Sequence, residues 1–276
     1  MTGLGPVTPG LRRPTPGDGD LITTSGPGRG NVRRIGFARA AVLLACVGTL
    51  LTGVQAESSP ATPARAGAAT GVAASAPLRI MPLGASSTVG AGSVATAGYR
   101  GPLQELMAAD GIAVDLVGSQ QDGPARVPDR DHEGHGGWTL ADMLPQVAGW
   151  VRAARPDVVL LHAGTNDLIQ GVSGRVAAQR LGALLDAIHS VTDARVIVAG
   201  VWAPLPTRAQ ARAEFHELAA AVVAEHRAGG QRVSYADTSE LLTPADLADG
   251  LHPDTAGYRI IAAMWKEEIT AALAQS

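Results

Sequence analysis

Five short apolar runs, separated by stretches with helical periodicity, constrain the fold of this chain more than any other feature of its sequence. The runs are nearly continuous rather than alternating with polar residues, as in strands that are covered on both faces. They span 78–83, 112–117, 157–162, 195–201 and 232–236. Strands that alternate with helices form a parallel sheet with helices on both sides. We therefore predict one three-layer α/β/α domain with a five-stranded parallel sheet.

Four amphipathic stripes supply the predicted helices. In each stripe apolar residues recur every three or four positions, the period of a helix with one buried face. The stripes span 140–151, 181–188, 215–223 and 261–269. Thr139 directly precedes the first stripe. Asp142 lies three residues after Thr139, which is the spacing of a capping pair. We expect this helix to begin directly after Thr139.

The N-terminal part of the chain is typical of targeting and linker sequence. Residues 1–31 are rich in Gly, Pro and Thr without periodicity, which predicts a disordered extension. In residues 32–56, arginines precede an apolar run that ends in small residues, as in a secretory signal peptide. Residues 57–77 are mostly Ala, Pro, Ser and Thr and predict a flexible linker. The folded domain is expected over 78–276, outside the cell. An uncleaved membrane anchor with the domain facing outside is the alternative.

Composition argues against several classes of function. The chain has a net charge of −3 and contains four Trp, three Tyr and two Phe, so it lacks the basic surface and the aromatic rings that nucleic-acid binding requires. Cys46 is its one cysteine, which excludes a disulfide scaffold, an iron–sulfur cluster and a cysteine-based zinc site. The His-Glu-x-His sequence at 132–135 lacks the spacing of a zinc-protease motif. We predict a monomer with no metal and no cofactor.

The residues that follow the strands carry the predicted chemistry, because parallel α/β sheets bind ligands at the carboxyl ends of their strands. A serine hydroxyl needs a base, and His252 is the best candidate to activate Ser86. Asp249 lies three residues before His252 across a turn that contains glycine, so one loop can present both side chains. The backbone N–H groups of Ser86 and Gly137 and the side-chain amide of Asn166 are candidate donors to an oxyanion. The pattern indicates a serine hydrolase that forms an acyl-enzyme.

Single residues of this set also have structural interpretations. A lone serine in a Gly-rich turn more often caps the next segment, and Asn166 is typical of an Asx turn after a strand. His252 with Pro253 fits the turn at the start of a helix. The catalytic interpretation of Ser86 therefore depends on its position relative to His252.

Aromatic side chains are predicted in two places, a substrate pocket and the core. Trp138, His135 and Trp202 follow strand or loop ends near the predicted site, and we predict that they line a substrate pocket. Core packing explains Trp138 and Trp202 equally well. Side chains that continue a strand or helix pattern are assigned to the interior: Trp150, Trp265 and His162.

Four sequence blocks resemble the SGNH hydrolase family, also called GDSL hydrolases. The signature of that family is Ser, Gly, Asn and His in chain order, and the matching residues are Ser86, Gly137, Asn166 and His252. Asp249 matches the third member of the family's triad. The resemblance extends over roughly residues 78–274 and implies a flavodoxin-like fold. The family usually has Asp directly before the nucleophile, whereas this chain has Ala85.

A finer resemblance concerns the substrate. The stretches 99–103, 117–119 and 131–138 are similar to those of secreted acetylxylan esterases in the third carbohydrate esterase family. That group removes acetyl groups from plant polysaccharide, so the resemblance implies an O-acetylated carbohydrate as the partner. A lysophospholipase or thioesterase is the alternative enzyme. Ala85 also leaves open a carbohydrate-binding or surface protein that has lost catalysis.

Overall fold

The computed structural model describes residues 76–274, so the predicted extension, the signal peptide and most of the linker lie outside the described residues. The strands are β1 (Leu78–Gly84), β2 (Val114–Leu116), β3 (Gln120–Gln121), β4 (Asp131–Gly134), β5 (Val158–His162), β6 (Arg195–Ala199) and β7 (Val233–Ala236). The α-helices are α1 (Ser86–Val89), α2 (Arg100–Ala109), α3 (Leu140–Ala154), α4 (Thr165–Ile169), α5 (Gly174–His189), α6 (Ala209–Ala228) and α7 (Thr255–Leu273). Within the range 76–274, no helix has both the length and the apolar character of a membrane span.

The sheet contains all five predicted strands, and they pair in parallel. β5 lies between β1 and β6, and β7 follows β6 at one edge. On the other side of β1, β2 pairs with its first residues and β4 pairs with Leu83 and Gly84. The sheet has seven strands rather than five, since β4 joins it and the two-residue β3 pairs antiparallel with β4. Both additional strands are short and polar, so they produce no apolar run.

Two apolar layers cover the sheet, as the α/β/α prediction requires. Met81 and Leu83 of β1 belong to the core formed with α3, α5 and α6. Ile80 points the other way, into the core formed with α2 and α7. Successive side chains of a strand point to opposite faces, and both faces are dry here, which explains the continuous apolar runs. The predicted fold class is confirmed.

The helix boundaries show which sequence signals were informative. Thr139 caps α3 through the predicted capping box: its hydroxyl accepts from the Asp142 N–H, and the Asp142 carboxylate accepts from the Thr139 N–H at 2.9 Å. Helix α2 has no counterpart among the predicted stripes. Its buried residues include Arg100 and Gln104, and polar side chains inside the protein interrupt the apolar period. Trp265 is fully buried as predicted.

Candidate active site

The predicted site residues lie at the carboxyl edge of the sheet. Ser86 begins α1 directly after β1, and Asn166 lies in α4 directly after β5. His252 comes from the loop before α7. The parallel direction of the strands brings these ends to one edge.

The turn that presents Ser86 leaves no room for a side chain at Gly84. A Cβ there would lie 2.3 Å from the His162 carbonyl oxygen and 2.6 Å from the Thr88 hydroxyl, so β1, β5 and α1 approach each other at van der Waals distance. Because Ser86 is the first residue of α1, the helix itself offers no acceptor to its backbone N–H. This N–H therefore remains available to a ligand.

A buried guanidinium secures the other end of α1. Arg100 donates from Nε to the Thr88 carbonyl and from Nη2 to the Val89 carbonyl, both at 3.1 Å, and from Nη2 to the Asp122 carbonyl at 2.7 Å. The Arg130 carbonyl accepts from Nη1. Burial lowers the pKa of Arg100 below its usual value. Arg100 thus connects two carbonyls at the end of the short nucleophile helix to one carbonyl in each of two loops.

Ser86, His252 and Asp249 form a hydrogen-bonded chain. The Ser86 Oγ lies 2.9 Å from His252 Nε2, and His252 Nδ1 lies 2.7 Å from Asp249 Oδ2. The other Asp249 oxygen accepts the N–H groups of His252 at 2.7 Å and Leu251 at 3.0 Å. These hydrogen bonds, chiefly the one from the His252 side chain, lower the pKa of Asp249 to about 2. An ionised carboxylate accepts a hydrogen bond from the Nδ1–H group and so holds the imidazole proton on Nδ1, which leaves Nε2 free to accept the serine proton.

The loop with Gly137 is attached to α4 by two neighbouring side chains. Asn166 Nδ2 donates to the Trp138 carbonyl at 2.8 Å, and Asp167 accepts the Leu140 N–H at 2.9 Å. Asp167 is fully buried and also pairs with Arg180 at 2.7 Å. An amide nitrogen carries two hydrogens, so Asn166 keeps a second donor. Gly137 has φ +82°, a conformation that favours glycine, and nothing lies within 4 Å of a Cβ added there.

A small cavity joins three of the predicted residues. Its volume is about 10 Å³, and Ser86, Asn166 and His252 line it. Ala85, Ala163 and Ala203 contribute small apolar side chains, and His162 and Trp202 contribute flat rings. A space of this size holds about one water molecule. Gly137 is not among the residues that line this cavity.

Trp202 and His162 meet inside this site. Trp202 is 1% exposed, so it belongs to the core and lines the cavity at once. The two rings stack with centroids 3.3 Å apart and planes 4° apart. Burial lowers the pKa of His162 to about 3, so the ring is neutral. Neither ring nitrogen has a hydrogen-bond partner within residues 76–274.

His162 was assigned to the interior from sequence, and its position in the cavity is the main addition from the structure. It is the last residue of β5, a strand from the middle of the sheet. The rule that selects residues at strand ends applies to His162 as well as to Asn166. The apolar run that contains it hid this signal.

His135 and Trp138 lie outside the lining of the cavity. They form an aromatic cluster with Trp150, with the His135 ring 4.4 Å from Trp138 and 4.6 Å from Trp150. The buried Glu133 carboxylate lies 2.7 Å from His135 Nε2 and accepts the Ser119 hydroxyl at 2.8 Å. These contacts order the loop that leads to Gly137.

One family model matches more than half of the chain. Residues 83–260 match the GDSL-like Lipase/Acylhydrolase family. A multidomain esterase of Ruminococcus flavefaciens is 28% identical over 225 residues, which cover 70% of this chain and 28% of that protein. The chain thus spans less than a third of the length of this curated relative.

Two solved structures are similar over nearly their whole length. A family 3 carbohydrate esterase of Clostridium thermocellum is 33% identical, with a TM-score of 0.66, and the match covers 72% of this chain and 99% of that chain. A carbohydrate esterase family 3 structure from Talaromyces cellulolyticus is 25% identical, with a TM-score of 0.62 and the same coverage. The resemblance that the sequence blocks indicated is confirmed.

Proposed function

This chain belongs to the GDSL-like lipase/acylhydrolase family, and from this premise we propose that it is a serine esterase that removes acetyl groups from carbohydrate. The observation that carries the proposal is the 2.9 Å contact between Ser86 Oγ and His252 Nε2 beside a cavity of about 10 Å³. The Asp249 carboxylate lies against Nδ1, on the other side of the imidazole, as a catalytic triad requires.

In the first half of the reaction, Ser86 Oγ attacks the carbonyl carbon of the ester while its proton passes to His252 Nε2. The carbonyl oxygen becomes an oxyanion, which accepts hydrogen bonds from the Ser86 and Gly137 N–H groups and the Asn166 amide. Collapse of the intermediate breaks the bond to the sugar oxygen. That oxygen leaves as a hydroxyl with the proton from His252, and the acyl group stays on Ser86.

In the second half, water attacks the acyl-serine and gives one proton to His252 Nε2. The second tetrahedral intermediate uses the same donors. The carboxylic acid leaves, and Ser86 Oγ regains its proton from His252. The Asp249 carboxylate stabilises the imidazolium in both halves, since its low pKa keeps it ionised. These steps use no metal or cofactor.

The size of the cavity favours a small acyl group over the long chain of a lysophospholipid. The solved relatives described as carbohydrate esterases support a sugar as the alcohol part. A polymeric substrate stays outside the cell, so we also propose that the predicted signal peptide over 32–56 exports the enzyme. We expect the exported enzyme to be a monomer. A membrane contact is expected only through that signal.

A fluorophosphonate probe and two substrates test the proposal. The probe should label wild-type protein and not Ser86→Ala, while Ser190→Ala serves as a matched control, because Ser190 is an exposed serine at the end of α5. Acetylated xylan should be hydrolysed faster than a long-chain acyl ester. Absence of labelling would instead favour the binding protein without catalysis, and faster hydrolysis of the long-chain ester would favour a lipid acyl hydrolase.

A further inference from the structure

The walls of the cavity beside Ser86 differ in character. Ala85, Ala163 and Ala203 follow three neighbouring strands, β1, β5 and β6, and their methyl groups leave space next to the nucleophile. The stacked rings of His162 and Trp202 take up space in the same cavity. The alanines therefore open the cavity, and the ring pair limits its extent.

The ring pair is held on several sides. Trp202 contacts Tyr99 edge-on at 6.4 Å and Trp265 at 6.5 Å between ring centroids. The carbonyl directly before it, that of Val201, accepts hydrogen bonds from His216 Nε2 and from Arg212 Nε, each at 3.0 Å. A close-packed interior yields little to an inserted group. An acyl chain that is too long cannot push Trp202 aside without disturbing these contacts.

His162 is buried almost as deeply as its stacking partner. It is 3% exposed, against 1% for Trp202. A buried ring in a close-packed interior has little room to move aside for a longer acyl chain.

We propose that the His162–Trp202 stack restricts the acyl group of the substrate to two carbons. The inference rests on the proposed function, since it concerns the acyl group that Ser86 receives. The acetyl methyl group occupies the cavity between the alanines and the rings. Each further methylene meets the face or edge of a ring that has no room to move. Trp202 and His162 are thus the residues that determine acyl-chain length.

The test is the ratio of kcat/KM for acetyl and butyryl esters of one alcohol. A pocket that excludes one methylene discriminates by about 10- to 200-fold, so the wild-type ratio should exceed about ten. Trp202→Ala should lower this ratio by at least about ten-fold. Trp150→Ala is the matched control, because the Trp150 ring contacts His135 and Trp138 and does not line the cavity, and its ratio should equal that of the wild type.

A second variant covers the case in which Trp202→Ala does not fold. His162→Ala removes the other ring and should also lower the ratio. An unchanged ratio in a folded variant overturns the inference, as does a wild-type ratio near one for acetyl and butyryl esters. Neither outcome bears on Ser86 as the nucleophile or on the preference for acetylated xylan over a long-chain ester. A wild-type protein without activity on any ester, or one whose activity survives Ser86→Ala, refutes the proposed function itself.

Discussion

Two buried neutral histidines should make the fold sensitive to mildly acidic pH. Burial is the largest cause that lowers the pKa of His132 and of His162, in each case to about 3. In an unfolded chain a histidine has a pKa of about 6.5. The unfolded state therefore binds more protons between these values, and stability falls as pH falls through this range. The full contribution is present only above about pH 6.5.

The magnitude follows from the difference between folded and unfolded pKa. At pH 5 each unfolded histidine is about 1.5 pH units below its pKa, and each unit corresponds to about 1.4 kcal/mol. Each buried ring thus costs about 2 kcal/mol at pH 5, and His132 and His162 together cost about 4 kcal/mol. Burial also lowers the pKa of His216, which acts in the same direction. The total is a large part of the roughly 5–15 kcal/mol that stabilises a typical domain.

Urea unfolding at pH 7 and pH 5 measures this difference. Asp249, with its pKa of about 2, stays ionised across this range, so it does not contribute. His162→Phe keeps an aromatic ring against Trp202 and removes one titrating group, and should reduce the pH-dependent loss by about 2 kcal/mol. Equal free energies of unfolding at pH 7 and pH 5 in wild-type protein would refute the reasoning. So would a His162→Phe variant with the full wild-type dependence.

Three further substitutions test the site. Asn166→Ala should lower kcat by about 10²-fold or more through loss of an oxyanion donor, and an unchanged kcat would remove Asn166 from the mechanism. Asp249→Asn should lower kcat/KM by about 10²- to 10⁴-fold, because an amide that donates to His252 Nδ1 places the imidazole proton on the nitrogen that must accept from Ser86. A variant as active as the wild type would show that the carboxylate does not set the tautomer. Arg100→Met should lower the free energy of unfolding, measured in urea, by at least about 3 kcal/mol, since several buried carbonyls lose a charged donor. A loss below about 1 kcal/mol would show that other groups hold α1 in place.

The strands that the sequence predicted are those that lie in the dry middle of the molecule. β5 and β6 are buried from end to end or nearly so, and such strands have continuous apolar runs. The polar β3 (Gln120–Gln121) and β4 (Asp131–Gly134) belong to the sheet only because β1 offers a free edge beyond β2. Their pairing is a long-range event with no local signal.

The candidate site follows the same division. Asp249 and His252 are three residues apart, so a single turn brings their side chains together, and that geometry can be predicted from spacing alone. The distance between Ser86 and His252 is different, because the contact joins positions 166 residues apart. Serine chemistry at the strand ends suggested the pair, and resemblance to a family supported it, but the packing of β1 against the loop before α7 produces the contact.

The local amino-acid sequence determined the alternation of strands and helices, the Thr139 cap and the Asp249–His252 turn. Each of these features depends on residues within a few positions of one another. Tertiary packing alone decided that His162 and Trp202 stack beside Ser86. Their ring contact joins the end of one strand to the segment after its neighbour, and only the register of β5 with β6 sets that distance. The volume left for a substrate is the space that remains after packing, so no single segment of the chain encodes it.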